Sequence, residues 1–164
     1  MALKRNVVTV LIGIGLAALA ISAGAQSGTK YKVRLSPAPP LTSRGANMTA
    51  NAAAVVGSGN AEATLNGKKL SVTGTFEKLA SSATAARIFM GPAMGARAYP
   101  GMSFGEFPVM KQADGKSGSF SGSVDLTTDQ VEALKKGRLY IQIHSEKAPD
   151  GNLWGWLLPQ ENRR

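Results

Sequence analysis

No cysteine occurs among the 164 residues. That absence excludes disulfides, thiolate metal sites, cysteine nucleophiles and a lipid-modified N-terminal cysteine. Histidine is almost as scarce: His144 stands alone, too few donors for a multi-histidine metal site and a thin supply for acid–base chemistry. Charged residues reach only 18%, which argues against long solvated helices and coiled coils. Glycine is what the chain has in quantity, 19 residues alongside an ordinary 43% of hydrophobic ones, a mix that suits a loop-rich β protein. The length is that of one domain of ordinary size.

The opening residues read as an export signal. Lys4 and Arg5 precede an apolar run over residues 7–21, which ends in Ala23-Gly24-Ala25. A cationic start, a short apolar helix and small residues at a peptidase site make a secretory leader over residues 1–25. The run is shorter than the ~20 residues that cross a bilayer comfortably, so cleavage after Ala25 is expected rather than a retained anchor. No transmembrane segment is expected after that cleavage, and a periplasmic or secreted location follows.

Basic side chains outnumber acidic ones 19 to 10, a net charge of +9. The leader takes two of the former and none of the latter, so the exported part stays basic. Long-range attraction to an envelope protein or an anionic polysaccharide is expected, with no nucleic acid partner in that compartment. The cations are dispersed rather than clustered, from Lys30, Lys32 and Arg34 to Arg163 and Arg164, the pattern of a solvated surface. Without cysteine in an oxidising compartment, packing alone must supply stability, and a chain of this length can bury enough core to do so.

Beyond the leader the pattern is of short strands. Tyr31-Lys32-Val33-Arg34-Leu35 alternates with period two and runs into Ser36-Pro37-Ala38-Pro39-Pro40, which predicts an edge strand and a stiff turn. Residues 41–60 lack periodicity and read as a long surface loop, with a formal glycosylation sequon at Asn47-Met48-Thr49 that is too common by chance to weigh much. Residues 61–65 and 70–76 flank Asn66-Gly67, the signature of a type I′ hairpin. Arg87-Ile88-Phe89-Met90, Phe107-Pro108-Val109-Met110 and residues 117–124 add three more short strands.

One helix interrupts them, near residues 127–136. Thr127 and Gln130 form a capping box, Leu126 and Val131 a hydrophobic staple. Asp129 and Glu132 sit near the start, Lys135 and Lys136 near the end, and Gly137 just past it, each on the side the helix dipole favours. At about two turns it must dock Val131 and Leu134 on the sheet to persist. Next, Arg138-Leu139-Tyr140-Ile141-Gln142-Ile143-His144 alternates strictly, with Leu139, Ile141 and Ile143 toward the core. A turn is expected at Ala148-Pro149-Asp150-Gly151, followed by a strand over residues 153–158. If these strands pair antiparallel, Tyr140, His144, Trp154 and Trp156 gather on one side, an amphipathic surface and the candidate partner-binding set. The competing reading buries the same aromatics under the loop at 41–60 or against a second sheet.

The run from Leu126 to Leu158 resembles the CHRD domain, the chordin-type module. The resemblance rests on the Thr-Thr-Asp-Gln-Val-Glu-Ala-Leu-Lys-Lys-Gly helix, the strand ending in His144, the Ala148-Pro149-Asp150-Gly151 segment and the closing Gly155-x-Leu157. Upstream, Ala85-Ala86-Arg87-Ile88-Phe89-Met90-Gly91-Pro92-Ala93 stands where that family has Ala-His-Ile-His followed by Gly-Pro-Ala. The resemblance implies an all-β fold, an antiparallel β-sandwich of immunoglobulin or superoxide-dismutase kind, with residues 26–60 as N-terminal strand and loop, residues 61–160 as CHRD-like core, and the domain spanning 28–160. It also implies a place where three His side chains approach one another. Arg87 and Phe89 occupy two of those places here, and Asn152 and Trp154 replace a Glu and an Arg of the family's closing segment, so an inherited metal site is expected to be lost.

The function expected is therefore a non-catalytic binding or structural module of the cell envelope, with no catalytic residues, no resident metal and no cofactor. Two other classes compete with it. A copper-binding protein would use thioethers of Met90, Met94, Met102 and Met110 with His144, although methionine serves more often as a flexible filler. A hydrolase would need a nucleophile beside His144; Ser145 follows it in sequence, but strand neighbours point to opposite faces. Asp150, Glu146 and Glu132 each have a turn, surface or helix-dipole role instead of a glycosidase pairing. N-terminal sequencing of the exported protein should begin at Gln26; a first residue inside the apolar run, or an intact leader on the mature protein, would contradict the cleavage expected here.

Overall fold

Period-two alternation dominates the chain. The computed structural model describes residues 28–39, 52–98 and 101–160, and among them it turns that pattern into ten strands, all paired antiparallel, and one α-helix. The leader, the sequon and most of the segment expected as a loop lie outside the described residues.

The first strand, β1 (Thr29–Pro37), turns Tyr31, Val33 and Leu35 inward and Lys30, Lys32 and Arg34 outward. It is not the edge strand its prolines suggested. From Thr29 to Leu35 it pairs with β2 (Ser58–Asn66) on one side. On the other, Ser36 and Pro37 pair with β9 (Ala148–Trp156), and Tyr31 and Lys32 with β10 (Leu158–Pro159). Pro37 is tolerated because it ends the strand, where a missing N–H closes the ladder instead of interrupting it. The second strand begins at Ser58, inside the segment expected as loop.

Strand β2 and β3 (Lys69–Glu77) form the expected hairpin, one residue out of the expected register. Asn66 and Lys69 are paired, so Gly67 and Lys68 are the central turn residues. Gly67 has φ +60° and Lys68 has no positive φ, the signature of a type II′ turn rather than type I′. Glycine at the first central position meets what that turn requires.

The remaining strands are β4 (Ala83–Met90), β5 (Ser103–Phe107), β6 (Val109–Lys111), β7 (Gly118–Asp125) and β8 (Leu139–Ser145), with α1 (Thr128–Lys135) between the last two. Hydrogen bonding follows one path, β5-β4-β8-β9-β1-β2-β3-β7-β6. Its two ends are neighbours in sequence. Phe107-Pro108-Val109-Met110, expected as one strand, breaks at Pro108: residues before it pair with β4 and residues after it with β7. Lacking an N–H, Pro108 fits the step between partners. The sheet is thereby nearly closed and barrel-like.

Inside it, Val33 and Leu35 meet Ala61, Leu70, Val72, Ile88, Ile141, Ile143 and Leu153 in one apolar core. Phe107 and Phe120 pack at 6.4 Å between ring centroids. Helix α1 adds Ala133 and Leu134, both buried, with Val131 packed against the cluster. Its capping box forms as expected: the Gln130 backbone N–H donates to Thr127 Oγ1 at 3.2 Å and the Thr127 N–H to Gln130 Oε1 at 2.8 Å. Among the described residues no helix is long and apolar enough to cross a membrane. Replacing Thr127 with Ala should cost about 1 kcal/mol, read as a lower urea midpoint at unchanged m; an unchanged midpoint would mean that the cap does not hold the helix on the sheet.

Candidate functional site

Strand β8 positions the candidate residues. Leu139, Ile141 and Ile143 face the core, and Tyr140, Gln142 and His144 face the other way. On that outer face the register sets Phe89, Tyr140 and Trp156 in one row and Arg87, Gln142 and Trp154 in the next, with Ala85 opposite His144. Three of the four expected aromatics converge, while the ring neighbour of His144 is Phe89. Tyr140 lies 5.8 Å from Trp154 and 4.8 Å from Trp156, and the two indoles meet edge to face at 5.5 Å. Phe89 stacks on Tyr140 at 5.1 Å and lies 6.0 Å from His144.

Their exposure differs from the sequence expectation. The whole of β8 is buried, with Tyr140 only 1% and His144 only 5% exposed. These two support the surface instead of forming it; Trp154 and Trp156 remain half-buried at its edge. Among the described residues, cover comes from residues 91–98, while most of the loop expected to cover the aromatics lies outside them. The Ala98 N–H donates to the Tyr140 hydroxyl at 3.1 Å, and Arg97 places its guanidinium 5.9 Å from the Trp154 ring.

A wide bulge in β9 shapes the rest. The turn expected at Ala148-Pro149-Asp150-Gly151 falls two residues earlier, at Glu146 and Lys147, and the Pro-Asp-Gly segment belongs to the strand. Ser145 pairs with Ala148, but the preceding pair is Ile143 with Leu153, so residues 149–152 stand opposite His144 alone. Carbonyls freed from the ladder must find other donors. Pro149 O accepts from His144 Nδ1 at 2.7 Å, and Asp150 O accepts from Gln142 Nε2 and from Arg97 Nη2, the latter at 2.6 Å. Gly151 permits this: its φ is +124°, and a Cβ there would fall on the Gln142 amide.

Arg97 is the functional residue that sequence reasoning missed. Besides Asp150 O, it donates through Nη1 to Pro39 O at 2.7 Å, tying the end of β1 to the bulge. Its signal was slight: one cation in a run of Gly, Pro, Ala and Met between residues 91 and 98. Asn152 is fully buried and bonded at both ends of its amide. Its Nδ2 donates to Val56 O at 2.6 Å, and its Oδ1 accepts from Ser145 Oγ at 3.1 Å.

Arg87, Phe89, Arg97, Gln142, His144 and Ser103 are among the residues lining a cleft of about 180 Å³. Because a carbonyl can only accept, the contact with Pro149 O places the imidazole proton on Nδ1. Nε2 then carries a bare lone pair, and it is buried with no hydrogen-bond partner among the described residues. Such an atom costs about 1–3 kcal/mol while it stays unpaired. Burial holds the His144 pKa below its ordinary value, and the charges of Arg87 and Arg97 add to the effect; the Pro149 carbonyl and Asp150 act in the opposite direction. Burial likewise pushes the Tyr140 hydroxyl up.

The donor set at this cleft does not fit the metal that the resemblance implies. Arg87 is a permanent cation and Phe89 has no donor, which leaves one imidazole nitrogen where a tetrahedral or tetragonal ion requires three or four ligands. No group of three or more His, Asp or Glu positioned for a metal occurs among the described residues. Met90, Met94, Met102 and Met110 are exposed, and none of them lines the cleft with His144. Ser145 binds Asn152 on the opposite side of the strand from the cleft, away from the imidazole.

Compared with known proteins, residues 40–157 match a family model described as the CHRD domain. Nothing among the curated proteins or the solved structures matches the chain. The buried imidazole yields a pH dependence. Its native pKa lies below the unfolded ~6.5, so the unfolded chain takes the proton first. Stability is full above that value, falls as the pH drops below it and levels off beneath the native pKa. Urea midpoints measured from about pH 7.5 to about pH 5 should therefore fall more steeply for the native protein than for His144→Gln; equal slopes would assign the acid sensitivity to other groups.

Proposed function

The chain belongs to the CHRD domain family, and on that premise we propose that it is an exported, non-catalytic binding module of the cell envelope. The observation that carries this reading is the state of Trp154 and Trp156. They are half-buried, set edge to face with each other and packed against Tyr140, on which Phe89 stacks. Side chains already fixed in place lose little entropy when a partner covers them, and tryptophan is the residue type most enriched at energetic centres of interfaces. Arg97, beside Trp154, adds a cation whose described partners are carbonyl oxygens rather than carboxylates.

Export is supported by the leader over residues 1–25, and an envelope protein or anionic polysaccharide as partner by the basic balance of the chain. The non-catalytic part is supported by the chemistry around His144, where Nδ1 is committed to a backbone carbonyl and Ser145 to Asn152. A two-layer sandwich is the architecture we assign to the nearly closed sheet. It is supported by β1, which runs alongside β2 and gives its last two residues to β9.

Envelope material incubated with the purified protein should retain it, and a neutral quencher should reach the indoles less easily in the complex than in the free state. Trp154→Ala combined with Trp156→Ala should weaken retention about tenfold or more. Retention unchanged by that double substitution, in a variant whose circular dichroism stays native, would remove these indoles from the binding face.

A further inference from the structure

The exposed apolar side chains are not all scattered. Met94 is 62% and Leu158 46% exposed, and they come from distant segments to one spot: a Cβ on Gly137 would stand 3.3 Å from Met94 Sδ and 3.5 Å from Leu158 Cδ2. Gly137 follows the C-cap of α1 at φ +66°, so the end of the helix is the floor on which both side chains lie. Trp156 borders the same spot. It stands two residues before Leu158 with buried Leu157 between them, and its Cη2 approaches the backbone at Gly91. Single exposed apolar residues are ordinary, whereas exposed ones that converge mark a contact surface.

The charges around this patch narrow the partner. Leu158 pairs with Lys32 across β10 and β1, so Lys32 and, two residues along the strand, Lys30 share its face. Lys136 and Arg138 flank Gly137 in sequence, and Arg138 Nε donates to Gly91 O at 3.1 Å, which holds the guanidinium beside the Met94 segment. The nearby carboxylates are already shared: Glu62 lies 3.9 Å from Lys32, and Glu132 is engaged by Lys135 at 2.9 Å. The ion pairs among the described residues include none with Lys30, Lys136 or Arg138. Lysine is depleted at the centre of protein–protein interfaces, and side chains this exposed offer a knob to insert instead of a pocket to fill. Apolar tips ringed by unpaired cations are complementary to an anionic bilayer, whose headgroups attract the cations while its acyl boundary receives the tips. An indole suits the margin of such a seat, being apolar in body with one polar N–H.

We infer that Met94 and Leu158, with Trp156 at their margin, seat the protein on an anionic phospholipid bilayer, held there by Lys30, Lys136 and Arg138. This seat goes beyond the indole pair: it shares only Trp156 with it, takes from the binding-module reading only export to an envelope, and has a different partner.

The test incubates the exported protein, free of its apolar leader, with sedimenting vesicles of mixed phosphatidylglycerol and phosphatidylcholine and, separately, of phosphatidylcholine alone. Binding to the anionic vesicles should be about tenfold or more stronger than to the neutral ones, and largely released at about 0.5 M salt. Met94→Ser combined with Leu158→Ser should weaken it about tenfold or more, and Lys136→Gln about fivefold. In the native protein, lipids brominated on their acyl chains should quench tryptophan fluorescence, a readout that needs no variant. Equal binding to both kinds of vesicle, anionic binding untouched by the double substitution, or no binding at all would each overturn the seat. So would a lipid-free dimer that the double substitution dissolves, which would give the patch to a second copy of the chain. Lipid-extracted envelope material that still retains the native protein in those cases leaves the binding-module reading standing; loss of that retention as well removes both.

Discussion

Two carbonyl oxygens that a strand cannot use organise the outer face of this protein. The bulge over residues 149–152 takes Pro149 and Asp150 out of the β8–β9 ladder, and a backbone acceptor left unpaired away from water is costly. Three side chains answer it: the imidazole of His144, the amide of Gln142 and the guanidinium of Arg97. Each answer has a consequence beyond the bond. The imidazole becomes a fixed tautomer with a bare, buried nitrogen. Gln142 holds the row that ends in Trp154, and Arg97 draws residues 91–98 over Tyr140.

The same bonds account for the rigidity of the aromatic cluster. Tyr140 is stacked on Phe89, capped by the Ala98 amide and flanked by both indoles. Aromatic contacts of this kind contribute about 0.5–1.5 kcal/mol each beyond the area they bury, but here their larger effect is geometric. They leave Trp154 and Trp156 few alternatives to the orientation they hold. A face built this way has met much of its ordering cost in folding, before any partner arrives.

Arg87 and Phe89, at the positions where the resemblance implied histidines, line the same cleft as His144. One forms an ion pair with Glu106 and the other a stacked ring pair with Tyr140. Asn152 spends both ends of its amide on Val56 and Ser145. The polar groups of the region are thus used internally, with the single exception of His144 Nε2 among the described buried side chains.

Local periodicity and capping chemistry were enough, from the sequence, to indicate the all-β pattern, the helix with its Thr127–Gln130 box and the inward row of Leu139, Ile141 and Ile143, while the gathering of Tyr140, Trp154 and Trp156 was legible only on the condition that their strands pair antiparallel. These features depend on residues three or four apart, or on the two-residue repeat of a strand. Tertiary structure decided the rest, because it depends on register between distant strands. The place of β1 inside the sheet, the break at Pro108, the shift of the hairpin turn to Gly67 and Lys68 and the bulge opposite His144 each require knowing which residue faces which. So does Arg97, whose partners are 58 and 53 residues away. Pro149-Asp150-Gly151 reads locally as a turn, and only pairing of the flanking segments makes it a bulge whose carbonyls fix an imidazole.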